Sequence, residues 1–256
     1  MTKVPPFQGK ETKLFYETPV ENALEYCLNE GYHPLFMPEL IQARIDNFDA
    51  MQYGFTAPSI TATGRTKQGT SVVVYAHIPT FLSNPANIRE ARNSRKGDVR
   101  MGCFSSDIGN ILARGRMPTA GEMLVASSPF MPIPQTEFQR IVDLEDKKNV
   151  WVVDWNIMCK APFSEGFDVR RALEHPQTIP FIGNEGLAQR YLQAHQEHYK
   201  HDKVGIYRSN DLLDGEDFPI ARLLFLGYDD CTLDSVGGLG YIGSFVGVKE
   251  KITRKF

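Results

Sequence analysis

Strict alternation marks the first element. From Ser59 to Arg65, Ile60, Ala62 and Gly64 fall on one side of an extended chain, with Ser59, Thr61, Thr63 and Arg65 on the other. From Ser71 to Ile78, Val72, Val74, Ala76 and Ile78 alternate with Ser71, Val73, Tyr75 and His77. The two apolar sets share a face only if an odd number of residues closes the turn. A three-residue loop, Lys67, Gln68 and Gly69, meets that condition, with Gly69 in the left-handed position. This register predicts Tyr75 across from Thr61 and His77 across from Ser59.

The densest run of large β-formers is Asn149 to Met158, NVWVVDWNIM, which holds both tryptophans. Trp151, Val153, Trp155 and Ile157 occupy one face of an extended chain, and Val150, Val152, Asp154 and Asn156 the other. The pattern predicts a central strand that turns polar where Asp154 and Asn156 reach a site or the limit of the core.

Helical spacing appears in Val20, Ala23, Leu24, Cys27 and Leu28, entered through Thr18, Pro19 and Glu21 as a capping box and stopped by Gly31. Further helices are predicted over 38–45, 84–93, 134–144 and 184–200, and a short one is capped by Asp168 and ends near Leu173. Strands are predicted over 204–208, 220–226 and 241–248. The last alternates Tyr241, Gly243, Phe245 and Gly247 on one face, which suits aromatic rings lying over glycine. The stretch from Ser94 to about Pro134 is irregular and rich in Gly, Pro and Met. The expected fold is α+β: a mixed, mainly antiparallel sheet flanked by helices, with this irregular segment in the middle. With no internal repeat and no clear linker, residues 1–256 are expected to form a single globular domain.

Composition adds exclusions. With 42% hydrophobic and 23% charged residues, the chain is that of an ordinary folded protein. A net charge of -3 and a pI near 6.1 argue against nucleic acid as a partner. The segment from Arg89 to Arg116 is nevertheless locally basic. Cys27, Cys103, Cys159 and Cys231 form no CxxC pair, so reduced thiols and a cytoplasmic location are expected. The first fifteen residues lack the apolar core of a signal peptide, and no run approaches the roughly 20 apolar residues of a membrane span.

Three motif-like strings fail on chemistry. Gly238, Gly240 and Gly243 spell GxGxxG, yet too little chain follows for the helix and ribose ligand a dinucleotide site needs. Gly64 to Ser71 has Thr70 where a phosphate-binding loop needs lysine. His195 and His198 are three apart and spell no zinc-helix motif, so no metal is assigned. Their place near a helix C-terminus suits favourable cation–dipole contacts.

One constellation carries chemistry. The second hairpin face gathers Ser59, Thr61, Thr63, Arg65, Ser71, Tyr75 and His77, a set that is either solvated or turned into a cleft. In a cleft, His77 and Tyr75 would transfer protons, joined by Asp154, while Arg65, Arg116 and Asn156 would bind a ligand. Asp154 within so apolar a strand, and Arg222 within IARLLFLG, each require a partner. Two functions follow as expectations. The first is an enzyme that binds a small phosphorylated or nucleotide ligand, a small anion held by arginine. The second is a non-catalytic interaction protein or homo-oligomeric binding module, using Met- and Phe-rich surface from the middle segment. No cofactor is indicated.

Overall fold

Eleven residues of uninterrupted extended chain, Phe55–Arg65, are the spine of the larger sheet. The computed structural model describes residues 6–17, 19–47, 54–94, 131–162, 166–199, 203–207, 219–227, 233–235 and 243–249. In chain order its strands are β1 (Glu11–Glu17), β2 (His33–Pro34), β3 (Phe55–Arg65), β4 (Ser71–Ala76), β5 (Met131–Pro132) and β6 (Val150–Asp154), then β7 (Phe167–Asp168), β8 (Lys203–Val204), β9 (Ile206–Tyr207), β10 (Ile220–Leu226), β11 (Leu233–Asp234) and β12 (Gly243–Lys249). Its helices are α1 (Val20–Asn29), α2 (Met37–Asp46), α3 (Pro85–Ser94), α4 (Gln135–Asp143), α5 (Trp155–Lys160), α6 (Val169–Glu174), α7 (Thr178–Ile182) and α8 (Glu185–Tyr199).

The larger sheet runs β6-β4-β3-β10-β11-β9, with β5 beside β10, and its pairings are antiparallel apart from β11 with β9. A smaller antiparallel sheet runs β1-β12-β2, and β7 pairs with β8. The fold is therefore α+β with mainly antiparallel sheets. The Gly/Pro/Met-rich middle falls largely outside the described residues.

The hairpin has the register that its alternation predicts. Thr61 stands opposite Tyr75, the loop closes through Thr66 and Thr70, and Gly69 takes φ +81°. Both faces of this sheet are covered, which explains why β3 is buried along ten successive positions. On one face Ile60, Ala62, Val74, Ala76, Val150 and Leu223 pack with Leu24 of α1, Ile88 of α3 and Phe138 of α4. On the other, Val73 and Tyr75 join a core that includes Leu40 and Ile41 of α2, Phe181 of α7 and Tyr191 of α8. The polar hairpin face is thus neither solvated nor an open cleft: Ser59, Thr61, Thr63 and His77 are buried.

NVWVVDWNIM departs most from expectation. Val150–Asp154 is an outer strand that pairs with β4, and the chain coils into α5 at Trp155. Asp154 causes the break, because its carboxylate accepts the Asn156 amide at 2.7 Å and caps the helix. The first helix is also entered differently. Glu21, assigned to a capping box, is fully buried, and the N-cap Pro19 has no side-chain cap; Thr18 lies outside the described residues. The last strand behaves as its pattern predicts: Gly247 lies against Phe15, Tyr32 and Cys27.

Candidate functional site

Both ring nitrogens of His77 are used by the frame. Its Nε2–H donates to the Pro180 carbonyl (2.9 Å), which leaves Nδ1 to accept the Ser59 hydroxyl at 3.0 Å. Ser59 Oγ in turn accepts the Met37 amide at 2.8 Å. One imidazole thereby ties β3 and β4 to the starts of α2 and α7. Burial pushes its pKa down to about 4, against the opposing pull of the Pro180 carbonyl and Asp146. Near neutral pH the ring is an uncharged spacer, a poor proton carrier.

Tyr75 is likewise a structural group. Its hydroxyl donates to Gln177 Oε1 (3.2 Å) and accepts from Ser235 Oγ at 3.5 Å. Gln177, fully buried, donates from Nε2 to the Leu233 carbonyl (2.8 Å) and the Tyr207 carbonyl (3.2 Å). The amide therefore staples the parallel pair β9–β11 to the hairpin.

The other predicted site residues are dispersed. Asp154 is exposed and engaged in helix capping, and Asn156 is exposed on α5. Arg65 is exposed at the end of β3, where its carbonyl accepts from Gln135. Arg116 lies outside the described residues. Arg222 is fully buried opposite Thr61, so Tyr75, Thr61 and Arg222 form one polar row across β4, β3 and β10. The structure brings together Tyr75, His77 and Ser59, and it separates them from Asp154, Asn156 and Arg65.

Two groups were not anticipated from the sequence. Gln177 is one, and Arg44 is the other: its guanidinium is fully buried, donates to the Tyr191 hydroxyl (3.0 Å) and the Gly227 carbonyl (2.8 Å), and lies over the Phe55 ring. Arg44 also lines a cleft of about 70 Å³ with Phe7, Leu40, Phe55 and Val246. Small-molecule sites run to roughly 300 Å³ or more, so this cleft accommodates at most a side-chain-sized group. His195, considered above with zinc, is buried with Nε2 2.6 Å from the Lys203 carbonyl. Among the described residues no cluster of three or more His, Cys, Asp or Glu is placed to hold a metal. Among those same residues no helix is long and apolar enough to cross a membrane.

No family model and no curated protein matches the chain. A solved structure is similar to it, described as "Accommodation of massive sequence variation in Nanoarchaeota by the C-type lectin fold". The likeness has 39% identity and a TM-score of 0.75, and it covers 95% of this chain and 100% of that one. It corrects the expectation of a nucleotide- or phosphate-binding enzyme with His and Asp proton transfer, and it agrees with the groups His77 and Tyr75 actually hold. A small anionic ligand finds no support in it.

Proposed function

Because the chain belongs to the family of C-type lectin fold proteins, we propose that it is a non-catalytic binding module: a fixed buried frame that presents a changeable outer surface to a macromolecular ligand. One observation carries the reading. The chain and its structural neighbour share 39% of positions and differ at the rest, yet align over 95% of this chain, and the neighbour's description speaks of sequence variation held by that fold. Such tolerance requires the frame to rest on internal bonds, and the interior here supports that: His77, Gln177 and Arg44 bond to main-chain carbonyls, which persist whatever side chains lie outside.

Labelled protein applied to a glycan array and to a displayed peptide library tests the reading. The expected outcome is selective retention by one class, without chemical change in what is retained. Substitution at exposed positions such as Tyr26 and Ile157 should change selectivity while leaving the melting temperature nearly constant. Chemical turnover of a retained molecule, abolished by His77→Gln in a folded variant, would overturn it.

A further inference from the structure

The smaller sheet ends in β1, and no strand among the described residues pairs with its outer side. Leu35 N–H donates to the Val246 carbonyl, which fixes Val246 as facing β2. Alternation then turns Phe245 and Gly247 toward β1, together with their partners Phe15 and Lys13. The main-chain groups of Leu14 and Tyr16 therefore point away from β12, toward the outside. A turn bridged between Phe7 and Lys10 leads into the strand, and Tyr16 near its other end is 60% exposed.

The strand reads E-T-K-L-F-Y-E, and it complements itself when reversed about Phe15. An antiparallel copy in that register sets Lys13 opposite Glu17 of the other copy, Glu17 opposite its Lys13, Leu14 opposite its Tyr16 and Tyr16 opposite its Leu14. Leu14 and Tyr16 are then the hydrogen-bonded pairs, because their main-chain groups already face outward. Both charge pairs are of opposite sign, and each aromatic ring covers an aliphatic side chain. A two-fold axis needs a self-complementary patch of this kind.

We propose that β1 pairs with β1 of a second copy of this chain, joining two three-stranded sheets across a two-fold axis. The overlap is short, so the dimer forms reversibly with concentration, and it leaves the larger sheet and its helices outside the contact.

Sedimentation velocity and native mass spectrometry of the full chain over a wide concentration series test this. The expected result is a monomer–dimer equilibrium. Glu17→Lys sets lysines opposite each other in both pairs and should weaken it by roughly tenfold. Mixing that variant with Lys13→Glu restores opposite charges in both pairs and should recover association between the two chains. Lys13 also pairs with Glu30, so the melting temperature of each variant is checked alongside. Leu14→Pro removes one outward N–H, which an outer strand tolerates, and should abolish the dimer while the monomer remains folded. A monomer at every concentration, or a dimer indifferent to Glu17→Lys and Leu14→Pro, would overturn the proposal.

Discussion

The hydroxyl of Ser59 lies 3.0 Å from Nδ1 of His77, across the open end of the hairpin, and both residues are buried. A proton added at Nδ1 would meet a hydroxyl already donating toward it and a ring without room for charge. The folded pKa near 4 lies below the ordinary value of 6.5, so the unfolded chain binds more protons between those limits. Stability from this group is complete above pH 6.5 and drains as the pH falls toward 4, by on the order of 3 kcal/mol. Denaturant titrations of the parent and His77→Gln over that range should diverge, with the parent showing the steeper loss on acidification. Parallel curves would mean that the ring is not the source.

Gln177 joins three carbonyl or hydroxyl groups, through two buried bonds to Tyr75 and Leu233 and a part-buried one to Tyr207. Gln177→Leu leaves them without their amide partner and should cost about 2–4 kcal/mol. The measurement is a shift in urea midpoint, accompanied by faster amide exchange in β9 and β11. A loss below about 0.5 kcal/mol would show that the staple contributes little.

Gly247 is held to hydrogen by its surroundings. A Cβ there would lie 2.8 Å from Cys27 Sγ and 2.9 Å from both Phe15 and Tyr32. Gly247→Ala should destabilise by about 1–3 kcal/mol through overpacking. Cys27→Ala in the same chain, which removes the nearest atom, should return part of that loss in a double-mutant cycle.

Thr61 and Thr63 give an expectation of opposite sign. Their hydroxyls are buried in the larger sheet, and among the described residues no hydrogen-bond partner is within reach. Thr61→Val and Thr63→Val keep the branched shape and remove that polar atom, so each should leave stability unchanged or raise it by about 1 kcal/mol. A clear loss in thermal melting would reveal a partner for the hydroxyl in solution.

Local patterns carried over well where one face of an element decided its conformation. The hairpin register and the position of Gly69 follow from alternation and turn length alone, and the Asp168 carboxylate caps α6 at the Arg171 amide as its spacing predicts. Asp154 misled for a physical reason. Carboxylates cap helices as readily as they interrupt strands, and the four β-formers ahead of it, Val150 to Val153, hid the start of α5. The burial of Ser59 and His77 was hidden too, because alternation reports which residues share a face and is silent on whether helices cover it. Gln177 and Arg44 acquire their roles through partners 30 to 183 residues away, a separation no local pattern encodes. The family was equally hidden: it rests on the whole fold, without a catalytic string to mark it.

Asp146 bears on the pairing of copies proposed above. Its carboxylate accepts the amides of Val150, Lys148 and Asn149, bonds that hold it well below the usual carboxylate range, while the amides of Asp146 and Lys147 donate to the Val150 carbonyl. The outer side of β6 is therefore occupied at Val150 by its own preceding turn, at the place a foreign strand would start. With β6 stoppered and β9 and β2 only two residues long, β1 is the one extended open margin among the described residues. A body with two open margins can polymerise without limit, whereas a body with one can only pair and stop. Counted over the described residues, the pairing proposed for β1 thus closes on itself and offers no second margin from which a fibre would grow.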